Sequence, residues 1–250
     1  MPPDRTPLPK SAFEVLALAE ARHWWFRTRN RVIIWVLKSH IGKIRNFLEI
    51  GCGTGFVLEG IQQEYPETTL TYTEFFDEGL MHARRRVPGA SFEKLDARAM
   101  NDAARFDVIG AFDVIEHINE DEQVLANLSR ALHKDGHLLL TVPQQRWLWS
   151  AADERACHVR RYTRRELVDK VGRADLEVQY VTSFVTLLVS LMWLAQQRPG
   201  QKNAEVNNEF DISDRTNRLL EFVMKIEFDL LKAGITFPLG GSLLLLAKKQ

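Results

Sequence analysis

An open, doubly wound α/β sheet is the fold class this sequence predicts, and three observations predict it. Short apolar runs, NFLEI, TLTYTE, FDVIGAF and HLLLTVP, alternate with amphipathic stretches of helix length, and parallel strands need crossovers of that kind. Gly51, Gly53 and Gly55 stand at alternate positions between the first run and the helix that follows. Three glycines so close carry an entropic cost that tight turning or close approach of a ligand to the backbone justifies. An acidic residue, Glu74, closes the second run, the strand end at which such sheets bind ligands.

The elements follow in order. The proline-rich start, MPPDRTPLPK, lacks an apolar core and reads as a flexible tail over residues 1–10, not a signal peptide. Ser11 and Glu14 have capping-box spacing and open a helical cap over residues 11–45, with a break near His23. NFLEI is the first strand, GFVLEGIQQEY a helix and TLTYTE the second strand. DEGLMHARRR is helical, ASFEKLD strand-forming and FDVIGAF a buried strand. EDEQVLANLSRALHKDG is an amphipathic helix expected to end at Gly136, with Lys134 in its last turn. HLLLTVP is the fifth strand. Thr163 and Glu166 form a second capping box, opening a helix, and LEVQYVTSF and GSLLLLAKK are the remaining strands. Between those two lies a helical insertion, residues 184–238, before the closing strand in 239–250.

Composition narrows the function. The chain has 250 residues, 45% hydrophobic and 26% charged, enough apolar material for one large domain or one domain with an insertion. Thirty-three basic side chains balance thirty-three acidic ones, so no net field draws nucleic acid, and none is expected as a partner. Two cysteines, Cys52 and Cys157, without a C-x-x-C, argue against a disulfide framework or a thiolate zinc site and suit a reducing, cytoplasmic compartment.

A strand, a glycine loop and a helix form a nucleotide-binding turn, and Glu74 sits where a carboxylate accepts from ribose hydroxyls. Phe56 follows Gly55, so the loop is not the G-x-G-x-x-G of pyrophosphate-bearing dinucleotides. ExGCGTG, the acidic end of the second strand, LDAR and FDVIGAFDVIEHI together resemble the class I S-adenosylmethionine-dependent methyltransferases. The resemblance covers residues 46–183 and the closing strand at 242–248. It implies a seven-stranded Rossmann-like sheet whose last strand is antiparallel and inserts beside the fifth, with residues 46–183 as the S-adenosylmethionine-binding core. It implies that Glu49 and the backbone of Gly51, Cys52 and Gly53 border the methionine part of the cofactor. Glu74, with Phe75 beside it, would hold the ribose, and Asp96 with the backbone of Ala97 would face the adenine. Phe112 and Asp113 would flank the methionine moiety. S-adenosylmethionine has no phosphates and carries a sulfonium charge that aromatic faces stabilise, and methyl transfer rests chiefly on alignment.

Acceptor handling is read from the residues. In HWWFRTRNR, Trp24, Trp25 or Phe26 either shields the cleft or anchors its helix to the core. His117 follows the fourth strand at the ligand-binding edge and is the first candidate for a general base, with His158 the second. Arg164 and Arg165, in a first helical turn, point either to an anionic ligand or to ordinary surface charge mixing. No pair among Asp113, Glu116, His117, Asp153 and His158 has diagnostic ligand spacing, so no metal is expected.

In the insertion, FVTLLVSLMWLA is apolar nearly all round but too short to span a bilayer. It is expected to be covered by the core or a dimer, with peripheral membrane contact as the alternative. A second helix, 211–233, carries Leu219, Val223, Ile226 and Leu230 on one stripe, with Glu227 close to it. The insertion reads as a cover over the site. The function expected is methyl transfer to an O, N or C acceptor on a small or lipid-like molecule. The rivals are a non-catalytic S-adenosylmethionine-binding module and an NAD-dependent dehydrogenase; the missing third-spacing glycine and the terminal strand pattern argue against the latter.

Overall fold

The computed structural model describes residues 10–196 and 212–250. The expected tail falls almost wholly outside them, as does the Ser11 side chain of the first capping pair. Two helices, α1 (Lys10–Ala19) and α2 (Trp24–His40), precede the sheet. The break between them falls at the expected place, because His23 is extended and its side chain accepts from the Trp25 N–H. Then β1 (Asn46–Ile50), α3 (Phe56–Glu64), β2 (Thr69–Thr73), α4 (Asp77–Arg86), β3 (Ser91–Glu93), β4 (Phe106–Phe112), α5 (Asp121–Ala131) and β5 (Leu132–Pro143) build the alternating half. A short α6 (Ala151–Arg155), α7 (Arg164–Arg173), β6 (Leu176–Phe184), α8 (Val189–Gln196), α9 (Asp214–Lys232) and β7 (Ser242–Lys249) complete the chain.

The seven strands run in the order β3-β2-β1-β4-β5-β7-β6. β1 to β5 are parallel, while β7 inserts between β5 and β6 antiparallel to both. This is the architecture expected. β4 and the second half of β5, Leu138–Pro143, are almost wholly buried, so they read as continuous apolar runs. One apolar layer (Val32, Ile33, Val36, Leu37, Leu58, Ile61) packs α2 and α3 on one face of the sheet. The other face carries Leu125, Leu128, Leu167 and Val171 of α5 and α7.

Three expectations are corrected. α5 ends at Ala131, not near Gly136, because Leu132 turns extended and pairs with Phe106 across a bulge in β4–β5. The core covers the apolar segment of the insertion only in part. Phe184, Val185, Leu188 and Val189 are buried, whereas Leu191, Trp193 and Leu194 stand exposed on α8. The inward stripe of α9 is turned from the one expected: Met224, Glu227 and Leu231 are buried, while Leu219 and Ile226 face outward. That rotation brings Glu221 to Arg27 of α2 and lets Asn217 bond both Trp24 N–H and the Arg22 carbonyl. Glu227 makes no ion pair with an arginine among the described residues. Its Oε2 accepts from the backbone N–H of Thr186 and Leu187 at 2.7 and 2.9 Å. Among the described residues no helix is long and apolar enough to cross a membrane.

Candidate active site

A cleft of about 300 Å³ opens at the carboxyl ends of β1, β2 and β4, under α1 and α2. Glu49, Gly51, Cys52, Gly53, Glu74, Phe75, Asp96, Ala97, Phe112 and Asp113 all line it, and His117 stands at one side.

The glycine loop is shaped by two needs. Gly51 has φ of +64°, and a Cβ there would meet Val114 at 2.8 Å. Gly53 has φ of +56° and nothing within 4 Å of a would-be Cβ, so that face of the loop is open. The Cys52 N–H donates to Thr73 O at 2.9 Å and ties the loop to the end of β2. Glu74 then gathers three amides: Gly53 N–H donates to Oε2 at 2.8 Å, and those of Phe75 and Phe76 donate to Oε1 at 2.7 and 3.0 Å. Burial raises the Glu74 carboxyl above its usual range, and these amides partly oppose that shift.

Glu49 is fully buried and its Oε2 has no partner among the described residues. Burial pushes its carboxyl up to about 8; the Arg29 guanidinium pulls the other way, and Glu20 and Glu74 add to the rise. Asp113, at φ of +57°, turns back under the cleft, where its Oδ2 accepts from Arg29 Nη1 at 2.5 Å and from Thr141 Oγ1 at 3.2 Å. Gly110 makes room for the Phe112 ring, which lies 2.5 Å from where a Cβ would be. Asp96 caps a short turn, Ala97–Ala99, and Arg98 grips its carboxylate at 2.6 Å. Hydrogen bonds from Arg98 lower its pKa.

The cover comes from α1 and α2. Phe13, Leu16, Glu20, Phe26 and Arg29 line the cleft, whereas Trp24 and Trp25 pack on the core. Of the three aromatics expected to shield or anchor, Phe26 faces the cleft. The Trp25 ring centroid lies 4.8 Å from the Arg29 guanidinium carbon. Arg86 Nη1 donates to Glu20 Oε2 at 2.6 Å and to Thr54 Oγ1 at 3.0 Å, and Thr54 also donates to Glu20, which locks α1 onto the glycine loop.

The second group lies beside His117. The rings of His117 and His158 are 4.7 Å apart, centroid to centroid. His158 Nδ1 is 2.9 Å from Asp153 Oδ1, and Arg161 binds Asp153 through Nε at 2.7 Å and Nη2 at 3.0 Å. Those hydrogen bonds hold the Asp153 carboxyl at about 2, against the opposing effect of burial. His117 is lowered to about 4, first by burial and then by the charge His158 carries when protonated. Glu116, between the histidines and the sheet, is entirely buried. Arg165 is exposed beside Asp169, as surface charge mixing expects.

The chain thus brings both groups of predicted residues to one edge of the sheet. Arg29, Glu20 and the Asp153–Arg161 pair were not identified from sequence as parts of that site. Arg29 was in view within HWWFRTRNR, four residues before Ile33 on a face otherwise read for its aromatics.

Known proteins resemble this chain in sequence and in fold. A family model described as "Methyltransferase domain" matches residues 48–138. The malonyl-[acyl-carrier protein] O-methyltransferase of Bacillus cereus is 31% identical over 105 residues, 41% of this chain and 39% of that protein. The trans-aconitate 2-methyltransferase of Methylobacterium nodulans is 30% identical over 96 residues, 38% of this chain and 37% of that protein. The match therefore spans about two fifths of the length of these curated relatives. Among solved structures, Haemonchus contortus phosphoethanolamine N-methyltransferase 2 in complex with S-adenosyl-L-methionine has a TM-score of 0.66 at 15% identity. That match covers 98% of this chain and 58% of that one. The [4+2]-cyclase SpnF shares the fold at a TM-score of 0.59 and 15% identity, covering 88% and 81%.

Proposed function

We propose that the chain is a class I S-adenosylmethionine-dependent methyltransferase and moves a methyl group from S-adenosylmethionine to an O, N or C acceptor on a small or lipid-like molecule. One observation carries the reading. The three strand-end acids, Glu49, Glu74 and Asp113, meet the open face of Gly53 in a single cleft.

The residues present suit the cofactor. Glu49 offers a buried carboxylate oxygen with no partner among the described residues, which fits the ammonium of a methionine moiety. The backbone of Gly51, Cys52 and Gly53 borders the same position, with Phe112 and Asp113 opposite. Glu74, fixed by three amides, presents its remaining lone pairs to the ribose hydroxyls, and Phe75 stands at the mouth. Asp96 and the Ala97 backbone, which line the same cleft, would face the adenine. When bound, S-adenosylmethionine supplies a methyl group on a cationic sulfur, ready for in-line displacement. Phe26 and the helix α1 exclude water, with Arg29 fastening that cover to Asp113.

For an acceptor that must lose a proton, the geometry favours His158 over His117 as base. Asp153 stands behind His158 Nδ1 and fixes the ring, leaving Nε2 directed inward, whereas His117 resists protonation. The matched O-methyltransferase of Bacillus cereus supports an oxygen acceptor. Free Cys52 and Cys157 suit a cytoplasmic setting. The exposed apolar residues of the insertion, 184–238, suit peripheral contact with lipid or a second copy of the chain. That insertion also completes the cover, through Asn217 at the α1–α2 junction.

SpnF shows that this fold alone does not decide the chemistry, so binding and turnover are tested separately. Calorimetry is expected to show binding of S-adenosylmethionine and S-adenosylhomocysteine and none of NAD. Mass spectrometry over a panel of hydroxyl, carboxyl and amine acceptors is expected to show a methylated product. Binding without any product would favour a non-catalytic module; absence of S-adenosylmethionine binding would overturn the proposal.

A further inference from the structure

We propose that Glu116, His117 and His158 form a binding site for a divalent transition-metal cation at the acceptor side of the cleft. One carboxylate oxygen and one ring nitrogen from each histidine lie within 4.8 Å of one another. His158 Nε2 is 3.9 Å from Glu116 Oε1.

Glu116 supplies the independent observation. It is fully buried, and neither carboxylate oxygen has a hydrogen-bond partner among the described residues. Neighbouring acids are already matched: Asp113 is held by Arg29 and Asp153 by Arg161. Glu116 is left without a cation of its own. A buried, ionised carboxylate in that position is costly unless a positive group meets it.

The two imidazoles point the same way. His158 gives Nδ1 to Asp153, which leaves the Nε2 lone pair directed at Glu116. One His117 ring nitrogen lies in the same cluster, within 4.8 Å of the Glu116 and His158 ligand atoms. One carboxylate and two imidazoles therefore converge on one point. A carboxylate behind a histidine is also the usual outer support of a metal-bound imidazole. Here that support is itself anchored by Arg161 and by Ser150, whose backbone N–H donates to Asp153 Oδ2 at 2.8 Å.

Two nitrogens and one oxygen suit Zn²⁺, Mn²⁺, Fe²⁺ or Co²⁺ better than Mg²⁺ or Ca²⁺, which prefer all-oxygen sets. Bonds of about 2.0–2.2 Å require ligand atoms roughly 3.3 Å apart, a contraction within reach of side-chain rotation. Three protein ligands leave at least one coordination position open. Because His117 lines the cleft, that position faces the acceptor. On the methyltransferase reading, the bound ion would hold an oxygen of the acceptor and lower its pKa, taking over from His158 as the activating group, since a ligated Nε2 has no lone pair left to act as base.

The test uses the full chain, stripped with chelator and titrated by calorimetry with Zn²⁺ and with Co²⁺, without cofactor or acceptor. One ion per chain is expected, and Co²⁺ should give the visible bands of nitrogen–oxygen coordination. Glu116→Gln and His158→Ala should each weaken binding at least about 30-fold, and Asp153→Asn about 10- to 100-fold. A far-ultraviolet circular dichroism spectrum and a cooperative urea transition like those of wild type certify that a variant is folded; if Glu116→Gln is not, His158→Ala decides. Absence of Zn²⁺ and Co²⁺ binding to the wild type, or binding unchanged in a folded variant, would overturn the site. Failure of the methyltransferase reading would show instead as lost S-adenosylmethionine binding, with the metal titrations unaffected.

Discussion

The two sides of the cleft are held by different chemistry. On the cofactor side, Glu74 is fixed by three backbone amides, two of them from the next two residues in the chain. On the acceptor side, Asp153, His158 and Arg161 come from the region after β5 and meet Glu116 and His117 from the end of β4. An amide cradle is written locally and survives substitution of its neighbours' side chains. A buried side-chain network depends on every member, because removing one strands another.

The largest effect should therefore follow a cut in the acceptor-side network. Arg161→Leu leaves Asp153, 1% exposed, without its guanidinium. Breaking such a buried pair should lower stability by about 3–5 kcal/mol, read from urea unfolding. Arg98→Leu, at the more open Asp96 pair of the cofactor side, should cost no more than about 1 kcal/mol. Similar losses in the two variants would remove the contrast.

Next in size is Glu74→Ala, which should weaken S-adenosylmethionine binding about 30- to 1000-fold, equivalent to roughly 2–4 kcal/mol. Calorimetry on the folded variant showing less than threefold weakening would sink the ribose assignment.

Glu49 gives a smaller, pH-dependent effect. Burial raises its carboxyl to about 8 from an ordinary 4.5, so the free folded protein holds a proton there at neutral pH. The unfolded chain releases that proton at lower pH, so this group's contribution to stability declines as pH rises from about 4.5 towards 8. A bound ammonium favours the ionised carboxylate, so cofactor binding should eject the proton. Affinity should rise between pH 6 and 8, by at most about tenfold per pH unit, with proton release visible as a buffer-dependent binding enthalpy. Glu49→Gln should flatten the dependence. A flat wild-type profile would place the methionine ammonium elsewhere.

The same contrast explains what was legible in sequence. The alternation of strands and helices and the cofactor-side residues lie in short continuous motifs: FLEIGCGTGF fixes β1, the loop and α3, and Glu74 follows β2 directly. The antiparallel β7 was legible only through the family resemblance, since nothing in SLLLLAKK itself says which strands it separates. The end of α5 was missed because Leu132 satisfies a helical pattern as well as a strand, and pairing with Phe106 decides between them. Arg29 and the Asp153–Arg161 pair depend on segments meeting in space, for which no local spacing exists. The stripe of α9 was misread because Glu227, a charged residue, takes an inward position to cap the α8 approach, while Leu219 faces outward.

The smallest expected effect tests that misreading. Leu191 and Phe222 are 52% and 60% exposed, so neither contributes much burial to the fold of a single chain. Leu191→Glu and Phe222→Glu should each leave urea stability within about 0.5 kcal/mol of wild type. Leu188, in the same apolar run but 6% exposed, is the internal control. Leu188→Glu places a carboxylate among packed side chains with no partner and should cost several-fold more than either surface change. If Leu191→Glu or Phe222→Glu destabilised the protein as much as Leu188→Glu, the outward face would be covered in solution. Dependence of that loss on protein concentration would then identify the cover as a second copy of the chain, because mass action links dimer stability to concentration.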